Sequence, residues 1–214
     1  MSATLAQMGN GFADPVHGAQ RTFRVLLGAM SEPGRVLALD EAATAGLAPD
    51  DAALRPPMGV AMAATLLALL DADTPAHLAG ALGRDDARAW LRFHTGARDL
   101  ATAAGMTVAL ARDVDASLWS ALDLGTDDAP QAGATLIAEV DALSDQPLAS
   151  SVALKLRGAG IEHSRDLAVA GLPAAFWQWR IALQSELPRG VDLMLVCGTR
   201  VAAIPRSTRI ELET

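Results

Sequence analysis

Gln20-Arg21-Thr22-Phe23-Arg24-Val25-Leu26-Leu27-Gly28-Ala29-Met30-Ser31-Glu32-Pro33-Gly34-Arg35-Val36 carries a helix face, a turn and a strand start in one run. Phe23, Leu26, Leu27 and Met30 recur at i, i+3, i+4 and i+7, so the spacing predicts four large apolar groups on the core side of a helix. Arg21 and Arg24 fall off that side. Asp14 is placed to cap the free amides of the first turn, and Pro15 sits at the first helical position, where no N–H is missed. Pro33 ends the helix. With Gly34 at the position of positive φ, Glu32-Pro33-Gly34-Arg35 fits a type II turn, and residues 36–39 then read as a buried strand.

Working outward, the sequence predicts a surface connection over 41–51, a helix over 56–70 that is apolar nearly all round, and a short strand over 76–78. A third helix follows over 84–94, with Asp85 and Asp86 in its first turn and Trp90 and Leu91 facing inward. Strands are expected over 106–110, 134–140 and 152–157, a short helix over 116–122, a loop over 124–133 and a last long helix over 172–187. The apolar run ending at Cys197, the pair Gly198-Thr199 and residues 200–204 fit a closing hairpin with a type II′ turn. Helices alternating with strands argue for an α/β fold, a mixed sheet covered by helices. The expected layout is a loose lead-in over 1–13 and one α/β domain over 14–214.

The totals exclude several classes. The chain has 214 residues, half of them hydrophobic, and a net charge of −8, so its long-range field repels nucleic acid and anionic membranes. Any anion it holds must be held by local arginines. The longest apolar run is too short for a membrane span. The lone Cys197 cannot form an internal disulfide, which points to a reducing, cytoplasmic setting.

Chemistry leaves few traces. His17, His77, His94 and His163 lack metal-ligand spacing, and no C-x-x-C, phosphate loop or G-x-S-x-G elbow occurs. Gly158-Ala159-Gly160 reads as a glycine turn. Lys155, the only lysine, lies on the polar side of its strand and does not read as an aldimine residue, so no cofactor is assigned. Arginine placement is the one positive signal. Arg84, Arg88 and Arg92 line one helix side at i, i+4 and i+8, a geometry suited to phosphate oxygens, although Asp85 can pair with Arg88 and such stripes are ordinarily solvated. Arg206-Ser207-Thr208-Arg209 forms a second cluster or an exposed exit loop.

Taken together, the blocks at 23–34, 71–75, 91–95, 125–136, 156–161 and 190–206 resemble, in order, the PhnH family, the H subunits of the bacterial carbon-phosphorus lyase system for phosphonate use. The resemblance implies a cytoplasmic subunit of a transferase complex, a homodimer when isolated and otherwise assembled with G, I and J subunits. That complex couples an alkylphosphonate to C1 of the ATP ribose with release of adenine, giving alpha-D-ribose 1-methylphosphonate 5-triphosphate. It also implies a three-layer α/β/α sandwich resembling the large domain of PLP-dependent transferases without the PLP site. The family supplies no agreed catalytic residue. Arg21, Arg24, Ser31, Glu32, Asp73, Thr74, Arg92, His94 and Arg206 are the matching polar positions and the candidates for contact with ATP or phosphonate. Two readings follow: an architectural subunit, or one in which Arg24, Arg92 and Arg206 clamp an anion while Glu32 or His94 moves a proton.

Overall fold

Asp14 caps α1 (Pro15–Ser31) as expected, its Oδ1 accepting from the amides of Val16 and His17 at 3.1 and 3.0 Å. The computed structural model describes residues 9–102, 107–111 and 116–213, the segment 107–111 by its backbone. The side of α1 that reaches the core is only partly the predicted one: Leu26 is buried and Met30 packs against the core, but Phe23 and Leu27 do not turn inward. Gly18, Thr22, Leu26 and Ala29 are buried, whereas Phe23 and Leu27 are 48% and 58% exposed and Met30 is half-buried. At about 100° per residue the helix is rotated by roughly a quarter turn from the face the large side chains suggest. Small residues face inward because α1 packs closely on α3 (Val60–Leu69), whose own buried residues include Ala61, Ala63 and Ala64.

Gly34, at φ +77°, makes the expected turn, and the Arg35 amide donates to the Glu32 carbonyl at 3.0 Å. The strand after it is only β1 (Leu37–Ala38), a partly exposed edge strand. The predicted surface connection contains a one-turn helix, α2 (Glu41–Thr44), because Asp40 accepts from the Ala43 amide as its N-cap. α3 begins later than predicted, after Gly59. A Cβ there would displace the Glu139 carboxylate, which lies close against the glycine. From Ala61 to Leu66 the helix is buried all round, as its composition requires.

β2 (Ala76–Gly80), α4 (Asp85–Thr95), β3 (Thr107–Ala111), α5 (Ala116–Ser120) and β4 (Thr135–Glu139) follow in alternation. Met106, predicted to start β3, lies outside the described residues. β8 (Asp192–Cys197) and β9 (Arg200–Ile204) complete a six-stranded mixed sheet in the order β1-β9-β8-β4-β3-β2. β2, β3, β4 and β8 run parallel, with Ala76, Thr107, Thr135 and Asp192 in one row at their starts. The hairpin turn has the anticipated glycine at φ +60°, Gly198.

The sheet separates two cores. Ile137, Met194 and Val196 join residues of α1, α3 and α4 on one side. Leu136, Ala138, Leu193 and Leu195 face the other, the alternation of strands buried on both faces. That other layer corrects the α/β/α expectation. It contains α5 and α6 (Ala174–Ala182), but also a second, antiparallel sheet in the order β10-β6-β7-β5, from β5 (Ala142–Ser144), β6 (Val152–Arg157), β7 (Arg165–Ala170) and β10 (Arg209–Leu212). β6 has the predicted alternation, Leu154 and Leu156 being fully buried. α6 stops at Ala182 and passes into a 3-10 turn over Leu183–Glu186, short of the predicted end.

Candidate functional site

Three places gather the polar residues singled out above, and they are separate. The first is the end of α1. Ser31 Oγ donates back to the Gly28 carbonyl at 3.0 Å, and Glu32 receives Arg35 Nη1 on both carboxylate oxygens at 2.7 and 2.9 Å. Arg165, from β7, donates to the carbonyls of Glu32 and Pro33, both at 3.0 Å. The glycine turn between β6 and β7 closes over this corner: a Cβ on Gly160, at φ +80°, would strike the Ser31 carbonyl and the Pro33 ring. The two sequence blocks therefore hold each other. Arg21 pairs with Asp40 at 2.7 Å across an exposed surface. Arg24 has no ion-pair or hydrogen-bond partner among the described residues.

The second place is a cavity of about 730 Å³ at the starts of β4 and β8, lined by Pro130, Gln131, Thr135, Leu187, Asp192 and Arg206 among others. Arg206 follows β9 and is far from an exposed exit loop: its side chain is 15% exposed and that of Asp192 19%. Asp192 accepts from the Arg206 amide at 2.7 Å, from Nε at 3.2 Å and from Nη2 at 2.6 Å, while Nη1 donates to the Pro130 carbonyl. Arg180 of α6 lies behind, 1% exposed, its Nη2 donating to the Pro205 carbonyl at 2.8 Å. Burial pulls its guanidinium down to about 10, opposed by the attraction of Asp192 and helped by repulsion from Arg206. It still carries its charge at neutral pH. The Asp192 carboxylate thus pairs directly with Arg206, and its charge also attracts Arg180, whose hydrogen bond goes to the Pro205 carbonyl. Asp192 and Arg180 were not candidates: Arg180 occupies a core position of α6, and an isolated arginine in an apolar helix is the only signal the sequence offers.

The third place is the outer side of α4, where a groove of about 700 Å³ is lined by Asp85, Arg88, Ala89, Arg92, Arg98 and Asp99. Arg88 meets Asp85 at 3.8 Å, as the spacing suggests, and Asp99 at 3.0 Å. Arg84 is turned away onto Asp86 and the Pro57 carbonyl. Arg92 and Arg98 are exposed and have no such partner among the described residues. His94, two residues on, serves another purpose. Its Nε2 donates to the Gly9 carbonyl at 3.2 Å, Trp90 Nε1 donates to the Asn10 carbonyl at 3.2 Å, and the segment ahead of α1 is held against α4. Burial lowers the His94 pKa, only partly offset by that hydrogen bond.

Asp73 and Thr74 form a tight turn in which Asp71 Oδ1 accepts from the Asp73 amide at 3.0 Å and the Thr74 hydroxyl at 2.9 Å. Lys155 is paired with Glu213. Among the described residues no group of three or more His, Cys, Asp and Glu side chains converges, and no helix is long and apolar enough to cross a membrane. Arg92 and Arg206 line different cavities, and the three arginines of the proposed clamp sit on separate elements.

Comparison with known proteins fits this picture of shared corners. The family described as "Bacterial phosphonate metabolism protein (PhnH)" matches residues 10–211, which contain all three places. The chain belongs to the PhnH family. It is 35% identical, over its whole length and the whole of the relative, to the "Alpha-D-ribose 1-methylphosphonate 5-triphosphate synthase subunit PhnH" of Rhizobium meliloti (strain 1021). It is also 33% identical to the "Putative C-P lyase subunit protein HtxG" of Stutzerimonas stutzeri, over 91% of this chain and 86% of that one. The blocks that resemble PhnH coincide with the Glu32–Arg165 corner, the Asp71 turn, α4 and the Asp192–Arg206 pair.

Proposed function

We propose that this chain is the H-type subunit of a C-P lyase complex, with a role in architecture and assembly and the bond-making groups on partner subunits. Two relatives named as subunits, both matched over nearly their full length, support the complex. The architectural role rests on one observation: most of the candidate polar residues are already engaged inside the chain. Ser31, Glu32, Thr74, His94 and Arg206 hold a helix end, a turn, the N-terminal segment and the start of β8. A residue saturated by its own fold has little left to bind a nucleotide. The finer picture is that G, I and J subunits are the partners, that the isolated chain is a cytoplasmic homodimer, and that the parallel strands descend from a PLP-transferase-like sheet without its cofactor site.

Purified chain alone, incubated with ATP and methylphosphonate, is expected to release no adenine, while the assembled complex does. Adenine release by the isolated chain would overturn the architectural reading. A second reading has one observation in its favour, Arg92 and Arg98 beside a groove without an ion-pair partner among the described residues, which could meet phosphate oxygens of ATP or a phosphonate within the complex.

A further inference from the structure

α1 carries several large apolar side chains on a side that the core does not use. Val16, Phe23 and Leu27 are 74%, 48% and 58% exposed. With Gln20 and half-buried Met30 they recur at intervals of four, three, four and three residues, the seam that one helix offers another. Thr22, Leu26 and Ala29 already satisfy the core from another side of the helix and Met30 packs against it, so the exposed Val16, Phe23 and Leu27 are surplus to the fold.

Charge decides what fits it. The protein as a whole is acidic, at −8, yet α1 from Pro15 to Ser31 has no carboxylate and carries Arg21 and Arg24. The neighbouring acids are committed elsewhere: Asp14 to His17, Asp40 to Arg21 and Glu32 to Arg35. Arg24, adjacent to Phe23 and pointing to solvent, has no partner among the described residues. A two-fold contact between copies centred on Phe23 would set Arg24 against the same residue of the other copy, a like-charge pair. We infer that the outer stripe of α1 docks an amphipathic helix of another subunit of the complex, one whose apolar seam is flanked by carboxylates that meet Arg24. This rests on the subunit reading proposed above and adds the surface and the chemistry of the partner.

The test uses the full-length tagged chain co-expressed with the other C-P lyase subunits, followed by affinity capture and gel filtration. The paired change Phe23→Ser, Leu27→Ser is expected to lower recovery of the other subunits at least tenfold, on the order of one interface hot spot. Leu148→Ser, at an exposed apolar residue outside α1, leaves recovery unchanged. Arg24→Glu, at a residue without partners among the described residues, keeps the thermal midpoint and still weakens capture, more than Arg24→Ala and more strongly at low salt. Wild-type recovery by both α1 variants would overturn the inference. So would loss of a homodimer by the isolated variants with subunit capture intact, since the occupant would then be a second copy. If the wild-type chain captures no subunit at all, the subunit reading itself falls.

Discussion

The Arg206–Asp192 pair and the Arg88–Arg92–Arg98 groove have similar composition and opposite states. Asp192 pairs with Arg206, which also spends a donor on a backbone carbonyl, and its charge attracts the buried Arg180 behind them. Along α4, Arg88 has two carboxylates within reach, while Arg92 and Arg98 have none among the described residues. A buried charge must be paired to be tolerated, whereas an exposed one is satisfied by water and stays free for a partner. Residue type therefore says little about role here. The side chain's partners say most of it.

The largest effect that would test the contrast is at Asp192. Asp192→Ala removes the carboxylate that pairs with Arg206 and whose charge attracts the fully buried Arg180, and removal of one member of a buried pair costs about 3–5 kcal/mol. Urea unfolding of the variant is expected to show that loss, together with weakened docking of the loop that carries Pro130. A loss under about 1 kcal/mol would mean that water already solvates both arginines through the cavity, and the difference between the two clusters would shrink.

His94 offers a smaller test within α4 itself, separating its structural end from its free side. Its folded-state pKa lies below the ordinary value because burial disfavours the imidazolium. Below about 6.5, where the histidine of the unfolded chain takes up its proton, the unfolded state binds more protons than the native state, so stability falls with falling pH. The neutral-imidazole contribution is present above the unfolded-state pKa and is lost as pH drops through the folded one. Thermal melts between pH 8 and 5 should show this decline, and His94→Gln, which keeps a donor for the Gly9 carbonyl, should flatten it. An unchanged pH profile would show that His94 is solvated and does not anchor the N-terminal segment.

What the sequence made legible follows from local chemistry. Asp14, Pro15, Pro33 and Gly34 punctuate α1 because each acts on its own backbone, and all four act as read. The all-apolar α3 and the alternating β6 were equally readable, being decided by burial along a single element. The orientation of α1 was not, because two apolar stripes compete and only the neighbour decides which is buried; α3 selects the small one. The second sheet was hidden for a related reason. β5 is three residues long and β10 has a single buried residue, Ile210, so neither shows a period by itself. Among site candidates, Glu32 has its carboxylate taken by Arg35, only three residues on, whereas the fixing of its backbone by Arg165, 133 positions away in the chain, has no local signal. Arg92 stayed a candidate because nothing in the fold claimed it.

The smallest expected effect is accordingly the most pointed. Arg92→Ala removes an exposed side chain that makes no ion pair or hydrogen bond among the described residues, so the isolated chain should keep its stability within about 0.5 kcal/mol. A larger loss in urea unfolding would place Arg92 with Arg206 as a structural residue and remove the contrast between the clusters. With stability intact, growth on methylphosphonate divides the two readings of the groove. An architectural subunit that does not use this side of α4 grows normally. A defect that Arg92→Lys restores only in part would show that the planar fork, and not charge alone, is what an oxyanion meets there, since an ammonium supplies the charge without the paired donors.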